Sequence, residues 1–457
     1  MEPIVPQVVG ELNHIESLIR ATNNMLLVAL IKRDMKYSKY NIPINISKDT
    51  DIIYNSLSDK YIFLKKGLLE NSLRNINNSC YDNLKKGGFI VDDNIDETKL
   101  YIEKARQIEK DETSTHLIIN PTINCNFRCW YCYEKHVPSK MSETTIENIK
   151  RLIDKSCKKS GNLTISFFGG EPLIYYNDVM LPIIKYAKKI ASANSVNFTT
   201  NCTTNGSLFN KSRIAELKDL NFNFAQITLD GNREVHNKTR CYANGKGSYN
   251  KIIENIKELA RNHISVTLRI NYTQDNIHSI ADIPSDFSEI TYEEKQFINV
   301  SFHKVWQEGE FESSEIEKSI NAFIKAGFIA SKFVLGSYCY GDLRNSAVIN
   351  YNGDVYKCTA VNFEEAKRDG YIDANGDIIW ENNSLENRMA AKFSNKPCLE
   401  CNLMPICHGG CSSKPLEISE DYCIFGFRED KKMNAVMEKI LYNINFKWKR
   451  MLHKFNE

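Results

Sequence analysis

The sequence predicts an α/β fold organised on a parallel sheet, and two observations carry that prediction. From about residue 116 to 332, short β-branched runs alternate with stretches of helical period. The alternation occurs six times, as expected of successive βα units whose right-handed crossovers close toward a barrel or an open wound sheet.

The elements follow in order. "HLIINPTI" (116–123) reads as the first strand and precedes the helix-like "ETTIENIKRLIDKSCKK". "NLTISFF" (162–168) precedes "VMLPIIKYAKKIASA", and "SVNFTTNCT" (195–203) precedes "KSRIAELKDL". "FAQITL" (224–229) leads, after a long loop, to "SYNKIIENIKELARN". "ISVTLRIN" (264–271) is followed by a poorly marked helix near 276–289. "INVSFHKV" (298–305) precedes "SEIEKSINAFIKAGFIASKF", which reads as one helix. Loops after the strand C-termini are then the expected place for chemistry.

The first 105 residues differ in character. "SKYNIPINI", "DIIYNSL" and "KYIFLKK" read as short strands, "GLLENSLRNI" and "CYDNLKKG" as helices, and "GFIVDD" follows. This predicts a small α+β module over 1–105, ahead of the βα region at 106–332. Residues 333–430 read as cysteine-rich and irregular, and 431–457 as a basic amphipathic helix whose apolar face docks on the body rather than on a membrane.

At 457 residues the chain accommodates two or three domains. A net charge of +2 gives no footing for nucleic acid or a membrane surface. The N-terminus lacks a basic segment followed by an apolar core, and "MLLVALI" is too short to span a bilayer, so the expected location is the cytoplasm. Fourteen cysteines in that compartment are not expected to be disulfides. Three lie at 125–132 and seven between Cys339 and Cys423, while Cys80, Cys157, Cys202 and Cys241 stand apart and read as core thiols. Such clustering points to metal ligation.

"INCNFRCWYCYEKH" (123–136) places Cys125, Cys129 and Cys132 on one loop after the first strand. Structural zinc wants four ligands, and the only nearby fourth is His136, beyond an aromatic stretch. A [4Fe–4S] cube held by three thiolates keeps one iron open to a cofactor. The C-x3-C-x2-C spacing, with an aromatic residue before the last cysteine, resembles the radical S-adenosylmethionine (SAM) superfamily. "FFGGEPL" (167–173), "TTNG" (203–206) and "ITLDGNREVHNKTR" (227–240) are similar to that family's successive strand-end motifs, in the family's order.

The resemblance implies a partial (β/α)6 TIM-type barrel over 106–332. It implies that Cys125, Cys129 and Cys132 hold the SAM-cleaving cluster. It also implies SAM contacts at Tyr131, Gly169, Gly170, Glu171, Pro172, Thr204, Asn205, Thr228, Arg240 and Val300. Arg240 is suited to SAM's carboxylate, and the glycines to close backbone approach.

Downstream stand Cys339, Cys358, Cys398, Cys401, Cys407, Cys411 and Cys423. One cube takes four cysteines, so seven imply two centres. Their pattern resembles the SPASM domain, which carries two auxiliary [4Fe–4S] clusters in radical SAM enzymes that modify peptides and proteins. The resemblance implies an outer cluster on Cys398, Cys401, Cys407 and Cys423. It implies an inner one on Cys339, Cys358 and Cys411, one ligand short.

The implied reaction is reductive cleavage of SAM to a 5′-deoxyadenosyl radical, then oxidative modification of a ribosomally made precursor peptide, with crosslinking the best fit. An external one-electron reductant such as flavodoxin or ferredoxin is required. The N-terminal module resembles winged-helix domains that grip leader peptides by strand addition, which places a docking edge within about 45–65. The alternative is an anaerobic sulfatase maturase. That group is expected to place a carboxylate base directly after the second SPASM cysteine, where this chain has Thr359; Glu364 or Glu365 are the nearby substitutes. An alternative of another class is a non-catalytic zinc-binding scaffold.

Overall fold

The computed structural model describes residues 35–67, 69, 79–309, 311, 314–332 and 336–455. It divides into two compact units. The first gathers Met1–Arg106 with Phe393–Cys411 and Glu420–Val436; the second holds Gln107–Lys392, Ser412–Ser419 and Met437–Glu457.

In the first unit, β1 (Met35–Tyr37) pairs antiparallel with β5 (Ile90–Asp92). Strands β2 (Asn41–Asn45), β3 (Thr50–Asn55) and β4 (Lys60–Lys65) form an antiparallel meander in that order, which leaves β2 and β4 as its edges. Helix α1 (Ser79–Gly87) contributes Tyr81 and Leu84 to a small core with Ile53, Leu64 and Phe89. The expected helix "GLLENSLRNI" lies outside the described residues, apart from Gly67 and Leu69.

A helix absent from the sequence expectation, α2, spans Glu97–Glu109. Its buried stripe is Glu97, Tyr101, Ala105 and Glu109, spaced four apart. Two of these four are charged, so the helical period does not show in hydropathy.

The second unit carries the expected alternation. Strands β6 (Ser114–Ile119), β7 (Asn162–Phe167), β8 (Asn197–Thr204), β9 (Phe222–Leu229), β10 (Ser265–Tyr272) and β11 (Ile298–Lys304) pair in parallel, each with the next. Between them run α3 (Glu143–Lys159), α4 (Leu181–Ala193), α5 (Lys211–Asp219), α6 (Arg233–Thr239) and α7 (Tyr249–Arg261). The poorly marked segment before β11 is a 3₁₀ stretch, Ile277–Phe287. Helix α3 starts where Ser142 caps it, its hydroxyl accepting from Thr145 N at 3.1 Å.

Two expectations need correction. The run read as one helix over 314–333 is α8 (Ser314–Lys325) followed by β12 (Ile329–Lys332), parallel to β11. Gly327 breaks it at φ +93°, with Phe328 N bonding Phe323 O at 3.0 Å and Gly327 N bonding Ile324 O at 3.0 Å. These two bonds are those of a Schellman stop.

The segment after 332 is also more regular than expected. Strand β13 (Ser346–Ile349) adds in parallel to β6. Strands β14 (Asp354–Tyr356), β15 (Gly370–Ile372) and β16 (Ile378–Trp380) continue antiparallel, and α9 (Ser384–Ala391) follows. The sheet runs from β12 to β16 as its two edges, an open and partial barrel.

Helix α10 (Glu429–Phe455) buries Val436 and Ile440, as a docked apolar face requires. Among the described residues, no helix is long and apolar enough to cross a membrane.

Replacing the cap of α3, Ser142→Ala, should cost about 1 kcal/mol. A lowered midpoint in urea unfolding, with an unchanged slope, checks this.

Candidate functional site

Strand alternation creates the site. On the face toward the helices, β6 to β10 present Leu117, Ile119, Ile165, Phe198, Ile227 and Leu268, all in one apolar core. On the opposite face they present His116, Ser166, Asn201, Thr203, Gln226, Thr228, Arg269 and Asn271, which line a cavity of about 470 Å³. Loops at the strand C-termini complete its wall. They bring Cys125, Cys129, Tyr131 and Cys132 from beyond β6, Gly169 and Gly170 from beyond β7, and Asn205 and Arg240 from beyond β8 and β9; Thr204, the last residue of β8, joins them.

The cysteine loop is held on two sides. On one side, Gly170 N donates to Thr122 O at 3.2 Å and Glu171 N to Asn124 O at 2.9 Å. A Cβ on Gly170 would come within 2.3 Å of Asn124 O, and one on Gly169, at φ +103°, within 2.3 Å of Thr122 O. Only glycine allows this contact. On the other side, Ala243 N donates to Asn126 O at 2.8 Å, and the Phe127 and Tyr242 rings meet edge to face at 5.0 Å.

Glu171 lies beneath the cavity rather than on its wall. It is fully buried, and its carboxylate accepts from Leu173 N, Thr204 Oγ1 and Asn205 N. It thereby ties the turn after β7 to the end of β8. Pro172, also buried, opens the following 3₁₀ turn. Val300 does not reach the cavity. It pairs with Leu268, shares that residue's helix-facing side, and belongs to the core.

A second set of side chains stands behind the loop. Tyr131 Oη donates to Asp230 Oδ2 at 2.6 Å and accepts from Arg240 Nη1 at 2.7 Å and Asn271 Nδ2 at 3.1 Å. His236, buried and pushed well down by that burial, is neutral. Its Nδ1 accepts from Asp230 N, its Nε2 meets Ser248 Oγ, and Ser248 Oγ donates to Arg240 O. The motif "LDGNREVHNKTR" is therefore one connected unit that fixes Arg240 in the wall. Burial pushes Asp230 up to about 6.

These residues fit an iron–sulfur cluster and a zwitterionic cofactor. Three thiols share one cavity wall. Burial pushes Cys125 up to about 12 and Cys129 up to about 11, so they hold charge as thiolates when metal is bound. Among the described residues, Asp230 Oδ1 and Arg240 Nε are buried without a hydrogen-bond partner, a carboxyl and a guanidinium of the kind that the charged ends of an amino acid moiety satisfy.

Three wall residues, Glu134, Tyr133 and Trp306, carried no sequence signal. Glu134, two residues past Cys132, is the only carboxylic acid among the described residues lining the cavity; burial pushes it up to about 8. Tyr133 stacks on the exposed Trp306 at 5.8 Å, making an aromatic rim. His136 also lines the cavity, as does Thr359, whose Oγ1 bonds Tyr340 Oη at 2.7 Å. Glu364 bonds Tyr351 Oη at 3.3 Å and Glu365 pairs with Lys135; neither lines the cavity.

In the first unit, Cys398, Cys401, Cys407 and Cys423 line a second cavity of about 50 Å³. Three consecutive left-handed residues, His408, Gly409 and Gly410, curl the chain after Cys407. Phe425 N donates to Cys423 Sγ at 3.4 Å, and burial pushes Cys407 up to about 11. Four thiols around one cavity suit a fully ligated cluster. Cys339 and Cys358 belong to the second unit and Cys411 to the first. Among the described residues, no group of three or more His, Cys, Asp or Glu side chains is arranged to hold a single metal ion.

Residues 119–283 match the family model of the Radical SAM superfamily. The chain is 27% identical over 331 residues to the cysteine-type anaerobic sulfatase-maturating enzyme of Clostridium novyi strain NT, covering 65% of this chain and 88% of that one. Its fold matches native anSMEcpe with bound AdoMet and Cp18Cys peptide at a TM-score of 0.52, with 18% identity, over 75% of this chain and 99% of that one. It also matches Streptococcus suis SuiB bound to precursor peptide SuiA at a TM-score of 0.50, with 14% identity, over 84% and 97% of the two chains.

Gly170→Ala should force the turn away from Asn124 and destabilise the protein by about 1–3 kcal/mol. The variant should retain less iron than the wild type, measured by metal analysis after anaerobic reconstitution.

Proposed function

We propose that this chain, a radical SAM enzyme, oxidatively matures a ribosomally made peptide, most simply by crosslinking it. Cys125, Cys129 and Cys132 hold the SAM-cleaving cluster. Tyr131, Thr204, Asn205, Thr228 and Arg240 receive SAM, with the backbone of Gly169 and Gly170 against it. When bound, cluster and SAM supply hydrogen-atom abstraction from a substrate carbon.

The chain's own residues do the rest. Arg240, fixed through Tyr131, Asp230 and His236, orients the cofactor's carboxylate end. The polar strand face beneath and the Tyr133–Trp306 rim above confine the target and limit water. Cys398, Cys401, Cys407 and Cys423 hold one auxiliary cluster, and Cys339 and Cys358 contribute to another. Clusters held by these cysteines would supply an acceptor for the electron that an oxidised substrate must lose. The reductant is a flavodoxin or ferredoxin.

The observation that carries crosslinking over sulfatase maturation is the cavity wall after Cys358. Thr359 stands there, a poor proton acceptor; both nearby glutamates are engaged elsewhere, and the carboxyl that does line the cavity, Glu134, is carried by the cysteine loop instead. The identity to a sulfatase-maturating enzyme favours the second reading, conversion of a cysteine to formylglycine. Strand β4 supports a leader-binding role for the N-terminal module. It is an edge strand, and its Phe63 is exposed.

The test offers the reconstituted, dithionite-reduced protein two substrates: the peptide encoded beside its gene, and a cysteine-bearing sulfatase peptide. The expected product is the first peptide short of one hydrogen pair per event, found by mass spectrometry. An aldehyde on the second peptide, trapped with a hydrazide, would establish the sulfatase reading instead. Iron near twelve atoms per chain is expected; zinc with no iron would leave only a scaffold.

A further inference from the structure

In the second unit, four ionisable side chains are buried around Gly341. Lys357 is 1% exposed, Arg388 and Lys392 are each 7% exposed, and Asp342 is 6% exposed. Lys392 Nζ pairs with Asp342 Oδ2 at 2.6 Å. Ser412 Oγ donates to Asp342 Oδ1 at 2.5 Å, and Arg388 Nε donates to Ser412 Oγ at 2.8 Å. Among the described residues, Lys357 Nζ donates only to neutral oxygens, Leu343 O, Ser346 O and Ser346 Oγ. The half-buried Asp369 accepts from the Lys357 backbone N–H at 2.8 Å. Lys392 is thus matched by Asp342 and Lys357 by neutral oxygens, whereas among the described residues no carboxylate is ion-paired with Arg388.

A buried guanidinium without a matching anion is costly, so Arg388 points to one. Its position is marked by Gly341. The point where a Cβ would stand there is 3.1 Å from Arg388 Nη2, 3.5 Å from Cys339 Sγ and 3.0 Å from the carbonyl of Lys357, the residue before Cys358. The guanidinium and the Cys339 thiol are therefore neighbours across a gap that a methyl group would crowd.

We propose that Arg388, backed by the Lys392–Asp342 pair, is the counter-charge of an anionic thiolate-bound iron–sulfur centre at Cys339 and Cys358, and raises that centre's reduction potential. The inference rests on the reading that these two cysteines hold an auxiliary cluster. Cluster potentials follow net charge, hydrogen bonds to sulfur and exposure. A fixed cation beside the thiolates favours the more negative, one-electron-reduced state. It suits this centre to accepting electrons rather than supplying them to SAM. Arg388 acts here as a positioning residue for charge and touches no substrate.

The test is an anaerobic redox titration of the reconstituted full chain, followed by electron paramagnetic resonance, with dithionite supplying the electrons. Cys358→Ala first identifies the wave that belongs to this centre. Arg388→Gln should lower that wave by at least a tenfold change in the reduced-to-oxidised ratio at fixed potential, about 59 mV for one electron. The other waves should stay in place, and Arg388→Lys should keep the wave near its wild-type position. If Arg388→Gln loses iron, Lys392→Gln makes the same test with the same expected sign. A wave that vanishes in Cys358→Ala but stays put in the charge variants overturns the inference alone. Identical waves in wild type and Cys358→Ala overturn the ligand reading and the inference with it.

Discussion

The site depends on a backbone contact that tolerates no side chain. The carbonyls of Thr122 and Asn124 lie against Gly169 and Gly170 so closely that a single methyl group on either glycine would collide with them. This contact sets the height and direction of the chain as it enters Cys125. Glu171 extends the constraint, since its buried carboxylate binds the turn to Thr204 and Asn205 on the next strand. Two strand ends and the cysteine loop therefore move as one body, and the loop needs no regular structure of its own.

The second organising feature is the division of the sheet into two faces of opposite polarity. A barrel of this size can fill its interior with branched apolar side chains. Here the concave face is polar along β6 to β10 except at Ile118, and it encloses a cavity where a packed core would otherwise be. Apolar burial on the helix side provides the stability, which leaves the inner face free to carry chemistry. Tyr131 shows how closely the two are linked. Its hydroxyl joins an acid, a guanidinium and an amide, and these partners come from strand-end loops and from β10.

Much of this was legible in the residues. Period-two runs marked β6 to β11, and the glycine and cysteine motifs marked the loops that follow. Other features are set by tertiary context. Helix α2 escaped because charged residues occupy half of its buried stripe. The split of 314–332 into α8 and β12 turns on Gly327, which sits within an otherwise helical pattern. Strand β13 is four residues long and gains its meaning from β6, more than 200 positions earlier in the chain. Val300 shows the limit of carrying a role across by motif, because strand parity puts its side chain on the helix side. Glu134 and the Asp230–His236 connections carry no spacing signature; they emerge only when loops from separate strands converge.

The central claim is that three thiolates on one glycine-braced loop hold a cluster that reductively cleaves SAM. The most direct measurement is deoxyadenosine released from SAM by the oxygen-free, dithionite-reduced protein, compared with its Cys129→Ala variant. The account predicts release by the wild type and none above background from the variant. Equal release from both, or none from a wild type with full iron content, would contradict it.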